Sequence, residues 1–291
     1  MKPAPFTYVR PTDRETALQA LAEAGVDGKV LAGGQSLVPL MNLRLARPGT
    51  IVDINRVEGF DHATRSNGTL TIGATYRQEA ALTDPVIASS APIIVEAVRH
   101  VGHSQIRQRG TILGSLAHAD PVAELPAVAT ALEARFTLER VGSTRTVSAA
   151  EFFVGPFMTA IEPEEILTEV AFPVFGSDTG QCFVEFARRH GDFAIVAVAA
   201  IVRLDSGGAC SDARVALAGA AERPIRSEAA EQILLGGRID EARAEEAARE
   251  ATRSLEPPAD IHGSSHFRKT IASQLIREAI VQAQRRAERR V

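Results

Sequence analysis

Cysteine is nearly missing from this 291-residue chain: Cys182 and Cys210 are the two it has, and neither belongs to a Cys-x-x-Cys pair. A chain so poor in thiols builds no disulfide framework, no zinc ribbon and no iron–sulfur cluster of its own. An excess of one charge is missing too. The net charge is −4, which leaves no electrostatic footprint for nucleic acid. The local exception is Arg285, Arg286, Arg289 and Arg290. That run reads as a solvated helix end, where cations suit the dipole, with a partner-docking site as the alternative. Long apolar runs are absent: the longest, 193–202, is too short to span a bilayer. The opening MKPAPFTYVRP has no apolar core of a signal peptide. The expectation is a cytoplasmic protein without a transmembrane segment. His100, His103 and His118 lie close in sequence but lack metal-ligand spacing, so no metal site is expected. No Ser/His/Asp arrangement follows from spacing, and no residue stands out as catalytic.

What is present describes an ordinary globular chain, 45% hydrophobic and 23% charged, and at about 100–200 residues per domain two domains are expected. Thr12 with Glu15 reads as a capping box opening a helix that carries Ala17, Leu18, Leu21 and Ala24 on one face and closes at Gly25. A short strand at 29–32 runs into Gly33-Gly34-Gln35-Ser36-Leu37, and a second strand follows at 50–54. Asn67-Gly68 signals a hairpin into a strand at 69–72. A helix is expected over 87–101, ended by Gly102. A second Gly/Ser loop follows at Thr111-Ile112-Leu113-Gly114-Ser115. Asp120 and Pro121 read as N-cap and first residue of a helix reaching about Glu133. Strands are expected at 134–139 and 165–172. Residues 176–180 look like a linker. Beyond it come strands at 181–188, 194–204 and 212–218, with a turn at Ser206-Gly207-Gly208, then helices at 226–235, 239–254 and 265–289. Runs of strands followed by runs of helices argue an α+β fold.

The two Gly/Ser segments carry the chemistry. Glycine lets backbone N–H groups approach a ligand with no Cβ in the way, and Ser36, Thr111 and Ser115 add hydroxyls. A strand, a glycine pair and a helix together aim several N–H groups at a phosphate. Two such segments from separate parts of the chain could embrace a pyrophosphate from both sides. Neither is a Walker A or a Rossmann fingerprint, and a Gly-Gly pair after a strand is by itself more often a plain turn.

Taken together and in order, several stretches are more specific. These are 29–37 (KVLAGGQSL), 111–121 (TILGSLAHADP) with Glu124, Glu164-Glu165-Ile166-Leu167 leading to Phe172-Pro173, Arg188-Arg189-His190-Gly191-Asp192, and the last helix with His266-Phe267-Arg268-Lys269 and Leu275-Ile276-Arg277. The chain resembles, over nearly its whole length, the FAD-binding medium subunit of molybdenum hydroxylases of the carbon monoxide dehydrogenase and xanthine dehydrogenase group. The resemblance implies two α/β subdomains of the vanillyl-alcohol-oxidase-like (PCMH-type) FAD-binding fold, about 1–58 and 59–177. It implies a C-terminal α+β domain at 178–291 with a three-stranded antiparallel sheet and helices. It further implies that Leu31, Ala32, Gly33, Gly34, Gln35, Ser36 and Leu37 wrap the pyrophosphate, with Lys29 at the entrance. Thr111, Gly114 and Ser115 would hold its other side. Gly102 would lie near the cofactor, Glu124 would take a polar group of it with Asp120 nearby, Ile166 and Leu167 would edge the adenine or flavin pocket, and Arg188 would lie near the flavin.

Two departures stand out. Leu113 occupies a position where these subunits usually carry glycine, and a need for positive φ there would cost strain. Phe193 replaces a common tyrosine, which keeps stacking and loses a hydroxyl. The FAD is expected to be non-covalent. The resemblance also implies a large molybdenum-cofactor subunit and a small subunit with two [2Fe–2S] clusters as partners. Electrons would leave FAD for NAD, a quinone or oxygen. Two other readings remain open at the level of sequence: a stand-alone FAD oxidoreductase, for which no acid or base beside the flavin is evident, and a flavin-free scaffold, against which the intact Gly33-Gly34-Gln35-Ser36 argues.

Overall fold

Three short parallel strands begin the fold in the computed structural model, which describes residues 2–289; Arg290 of the basic run lies outside them. Thr50–Asp53 is the middle strand, flanked by Thr7–Val9 and Gly28–Leu31. The helix Arg14–Ala24 buries Ala17 and Leu21 against this sheet. Its N-cap is Asp13, not Thr12: the Asp13 carboxylate accepts from the Thr16 amide at 2.8 Å, so the expected capping box is replaced by a stronger acidic cap one residue later. Gly25 ends the helix with φ +55°.

A five-stranded antiparallel sheet follows, in the order Ala63–Ser66, Thr69–Gly73, Ile166–Pro173, Arg135–Arg140, Ser143–Ser148. Asn67 and Gly68 both take positive φ, as a two-residue hairpin of this hand requires. The strand Ser143–Ser148 is an edge strand with Val147 as its one buried apolar residue, so it carries no hydrophobic alternation to betray it. The expected helix 87–101 is two helices, Pro85–Ser90 and Pro92–His100. Pro92 drives Ala91 out of helical geometry. The helix expected from Pro121 starts at Glu124 and runs to Ala131, because Asp120 spends its side chain on a tight turn, accepting from the Val122 amide at 3.0 Å.

Thr179–Ala187, Ala194–Leu204, Cys210–Ala218 and Ile225–Arg226 form the last sheet, antiparallel throughout. It has four strands where three were expected, the fourth being a two-residue edge. The presumed linker is also shorter: Thr179 and Gly180 are already paired in the first of these strands. Gly180 is required there, since a Cβ would stand 1.8 Å from the carbonyl oxygen of Ala283 in the helix Ser265–Glu288. That helix and Glu228–Leu234 lie against the sheet, with Glu241–Arg253 packed on both of them. Its alanines close a second apolar core with Val198, Val202 and Leu217, separate from a core built on Phe60, Phe136, Phe152 and Phe172. Among the described residues no helix is long and apolar enough to cross a membrane.

Candidate functional site

The strand Gly28–Leu31 ends in a half-buried turn, 31–37, that feeds the helix Leu37–Asn42. Gly34 makes that turn at φ +71°. The backbone N–H groups of Gly33, Gly34, Gln35, Ser36 and Leu37 find no backbone acceptor among the described residues. Ser36 stands at the N-cap of that helix, yet its hydroxyl caps nothing. A run of uncommitted donors on a tight turn is a concavity suited to an anion.

The second segment is a helical turn and not an open loop. Thr111 caps the helix Ile112–His118, its hydroxyl accepting from the Gly114 amide at 3.0 Å. Leu113 lies inside that turn, 2% exposed, and is absent from the positive-φ residues of the chain. The strain feared at this position therefore does not arise: helical backbone accepts leucine, and the side chain joins the core. Three contacts hold the segment from behind. Gln78 donates its amide N–H to the Gly110 carbonyl at 3.0 Å, Ile112 donates to Tyr76 at 3.1 Å, and the Gln78 side chain donates to the Thr111 carbonyl at 3.3 Å. The side-chain oxygen of Gln78 is buried with no partner.

The two segments touch. A Cβ on Gly33 would lie 2.6 Å from the Arg109 carbonyl oxygen, 2.8 Å from the Gly110 Cα and 3.0 Å from the Thr111 nitrogen. Glycine at 33 is thus a condition of the approach. Side chains strengthen the junction. Asn55 donates from Nδ2 to the Ala32 carbonyl at 2.8 Å and lies 3.3 Å from that of Leu31. Its Oδ1 accepts from Arg77 Nη2 at 2.5 Å, and Arg77 Nη1 donates to the Arg109 carbonyl. Burial, and behind it the neighbouring Arg109, pull the Arg77 guanidinium below its ordinary pKa. Sequence reasoning missed Asn55, Arg77 and Arg109. Asn55 follows a strand end and Arg77 sits in an unremarkable connection, so nothing short of the fold flags them.

The other expected residues are more dispersed. Lys29 is exposed on its strand, and Ser115 sits half-buried in the helix that Thr111 caps. Gly102 takes φ +46° and meets the 188–192 turn: a Cβ on Gly191 would stand 3.1 Å from the Gly102 carbonyl and 2.5 Å from the His103 ring. Arg188 belongs to that turn and is exposed, as is Phe193. Ile166 and Leu167 are closed into the core that also holds Ile112 and Leu113. Asp120 is half-buried. Glu124 is buried at the first position of its helix, and burial, with Asp120 adding, pushes its carboxyl up to about 7. Glu185, which sequence reasoning did not single out, is pushed up to about 8 by burial and then by Glu124. One of its oxygens is buried without a partner and the other lies 3.7 Å from His100 Nδ1. A hollow of about 450 Å³, lined by Val154, Ala221, Arg223, Glu256 and Pro258 among others, shares no residue with the glycine segments. Among the described residues no cluster of His, Cys, Asp or Glu could hold a metal.

Comparison with known proteins gives these features a context. Residues 4–175 match the family described as the FAD binding domain in molybdopterin dehydrogenase. Residues 181–283 match the carbon monoxide dehydrogenase flavoprotein C-terminal domain. The chain is 42% identical to the 6-hydroxypseudooxynicotine dehydrogenase complex subunit alpha of Paenarthrobacter nicotinovorans, over 99% of this chain and 97% of that one. Its fold is similar to that of a carbon monoxide dehydrogenase chain from Hydrogenophaga pseudoflava, with a TM-score of 0.95, 36% identity and coverage of 98% and 99% of the two chains. A chain of quinoline 2-oxidoreductase from Pseudomonas putida 86 matches with a TM-score of 0.94, 38% identity and 99% coverage of both.

Proposed function

Because the chain belongs to the FAD-binding medium subunits of the molybdenum hydroxylases, oxidoreductase subunits by family, we propose that it holds one FAD non-covalently across its two glycine segments. In this reading it serves as the electron-transfer subunit of a hydroxylase complex. The observation that carries the reading is the junction at Gly33, where a segment with five backbone N–H groups lacking a backbone acceptor comes within backbone contact distance of a second segment. A pyrophosphate is a dianion lined with acceptors, and such a cradle supplies donors with no Cβ to obstruct them.

The residues present fit that cofactor. Ala32 to Leu37 hold one side of the pyrophosphate, with Leu31 and Lys29 at the strand that delivers them. Thr111, Gly114 and Ser115 hold the other side. Glu124, whose carboxyl burial pushes up to about 7, exists in both protonated and ionised forms near neutral pH and is suited to donate as well as accept, with Asp120 four residues before it. Gly102 and the turn bearing Arg188 close one wall, and Ile166 and Leu167 supply an apolar edge. When bound, FAD supplies the two-electron chemistry that links one-electron carriers to an external acceptor. The chain's own part is to bind, orient and exclude water, and Arg188 can stabilise negative charge electrostatically. No side chain here is assigned as a catalytic acid or base.

We assign residues 1–177 to the FAD-binding domain, with subdomains about 1–58 and 59–177, and 178–291 to the C-terminal domain. The partners in this reading are a large molybdenum-cofactor subunit and a small [2Fe–2S] subunit, the acceptor is NAD, a quinone or oxygen, and the complex is cytoplasmic. The paucity of cysteine supports that division, since clusters need ligands this chain does not have. The test is the visible spectrum of the co-expressed complex and of the chain alone with added FAD, with heat-released cofactor identified by mass. FAD in the complex supports the reading. A complex that releases no FAD, with no thermal stabilisation of the chain by added FAD, overturns it.

A further inference from the structure

Beyond the residues that would touch the cofactor, the geometry points to a strap that makes the two glycine segments act as one: we infer that Asn55 and Arg77 are positioning residues that fix the separation of the pyrophosphate cradle's halves. The inference rests on the proposed cofactor site. Asn55 holds the Ala32 carbonyl of the first segment, Arg77 holds the Arg109 carbonyl of the second, and the two side chains hold each other at 2.5 Å. No other side chain bridges both segments through hydrogen bonds among the described residues.

The strap is anchored from behind. Asp53, at the end of the central strand of the first sheet, accepts from the Asn55 amide at 3.0 Å and from Asn55 Nδ2 at 2.5 Å. Its second oxygen accepts from the Tyr8 hydroxyl and lies 3.5 Å from Arg10 Nε. Burial would raise the Asp53 pKa, but these hydrogen bonds outweigh it and hold the carboxyl below its usual range. The Asn55 amide is therefore locked by an ionised acid, and its oxygen is left pointing at Arg77. The Arg77 fork uses Nη1 for a carbonyl and Nη2 for an amide oxygen, so its charge meets no carboxylate in those contacts. A half-buried cation next to Arg109 and satisfied only by neutral acceptors favours an anion nearby. The planar fork matters as well as the charge, since a lysine ammonium offers its donors from a single point and lacks the two nitrogens at fixed separation that Arg77 uses.

The test compares Asn55→Ala, Arg77→Gln and Arg77→Lys with wild type in the full chain. The first measurement is hydrogen exchange without cofactor. The strap requires that each variant speeds exchange of the bonded amides of Val38 and Leu40, which donate to the Gly34 and Ser36 carbonyls, and of those of Gly110, Ile112 and Gly114 together, while the C-terminal sheet keeps its protection. The second is titration with FAD, ADP and riboflavin. The dissociation constants for FAD and ADP should rise about tenfold, the scale of one lost charge-assisted hydrogen bond, with riboflavin unchanged. Arg77→Lys should fail like Arg77→Gln. Exchange that changes in one segment alone, or Arg77→Lys binding like wild type, overturns the strap while leaving the cofactor reading intact. If wild type binds no FAD, the cofactor reading fails, and the exchange experiment still decides whether the two segments are coupled.

Discussion

Gly33→Ala is the sharpest perturbation available to the cradle. The added methyl would meet the Arg109 carbonyl oxygen at 2.6 Å, the Gly110 Cα at 2.8 Å and the Thr111 nitrogen at 3.0 Å. All three are backbone atoms, so no side-chain rotation relieves the contact. The second segment is itself pinned by Gln78, Tyr76 and Arg77, and the cheapest response is for the halves to part. Inserting a methyl into packed structure costs about 1–3 kcal/mol, and donors displaced from their acceptors lose affinity on the same scale. If that cost falls on the bound state, the FAD dissociation constant rises by roughly 5- to 150-fold. The assay is fluorescence titration of the apo chain with FAD, with thermal unfolding as a control. Gly207→Ala, in the hairpin turn of the far sheet where the nearest atom is a flexible carboxylate at 3.3 Å, should leave binding unchanged. Gly33→Ala binding FAD within twofold of wild type would refute the claim that this contact sets the cradle.

Three further outcomes follow from named contacts. Ser36→Ala removes a hydroxyl that caps nothing, so it should leave apo stability within about 0.5 kcal/mol and raise the FAD dissociation constant about 2- to 10-fold; a large loss of apo stability would contradict the free hydroxyl. Glu185 is held up to about 8 and Glu124 up to about 7 by burial, against roughly 4.3 in an unfolded chain. Between those values the folded chain keeps protons the unfolded chain has lost, so stability falls as pH rises through that window. Glu185→Gln should therefore melt above wild type at pH 9 and converge with it near pH 5, and parallel melting profiles would count against the buried acid. Arg268, 2% exposed, donates to the Ile195 and Gly219 carbonyls and pairs with Asp260 at 2.7 Å. Arg268→Ala should cost about 1–3 kcal/mol for each carbonyl left orphaned, read by urea unfolding, and a loss below the bottom of that range would show that water replaces the guanidinium.

Much of the frame was legible because it rests on local rules. Asn67-Gly68 announces a hairpin turn wherever it stands. The uninterrupted apolar run after Phe193 reads as a buried strand, and Ala194–Leu204 is one, paired on both sides. What failed were decisions made by neighbours in competition. Thr12 and Asp13 both cap well by type, and it is the Asp13 side chain that takes the Thr16 amide. Pro121 fits a first helical turn by propensity, yet the Asp120 side chain captures the Val122 amide and delays the helix. Ser143–Ser148 carries polar residues on both faces and is a strand because Arg135–Arg140 offers it an edge.

The candidate site divides along the same line. The glycine segments were visible because a ligand-facing backbone needs residues without Cβ, and that need is written locally. The side chains that join them were invisible, because Asn55 and Arg77, 22 positions apart, acquire their roles only when the fold brings them together. Leu113 makes the point from the other direction. Judged on sequence it is a defect in a glycine-rich loop. In the fold it is a core residue of a helical turn, and what the second segment contributes is the Thr111 cap and the carbonyl of Arg109. The demand for glycine has therefore not been relaxed in this chain; it rests at Gly33, where the two backbones meet. Substitution at 113 among small and large apolar residues should accordingly alter packing and leave the cradle's donors in place, whereas position 33 tolerates nothing larger than hydrogen.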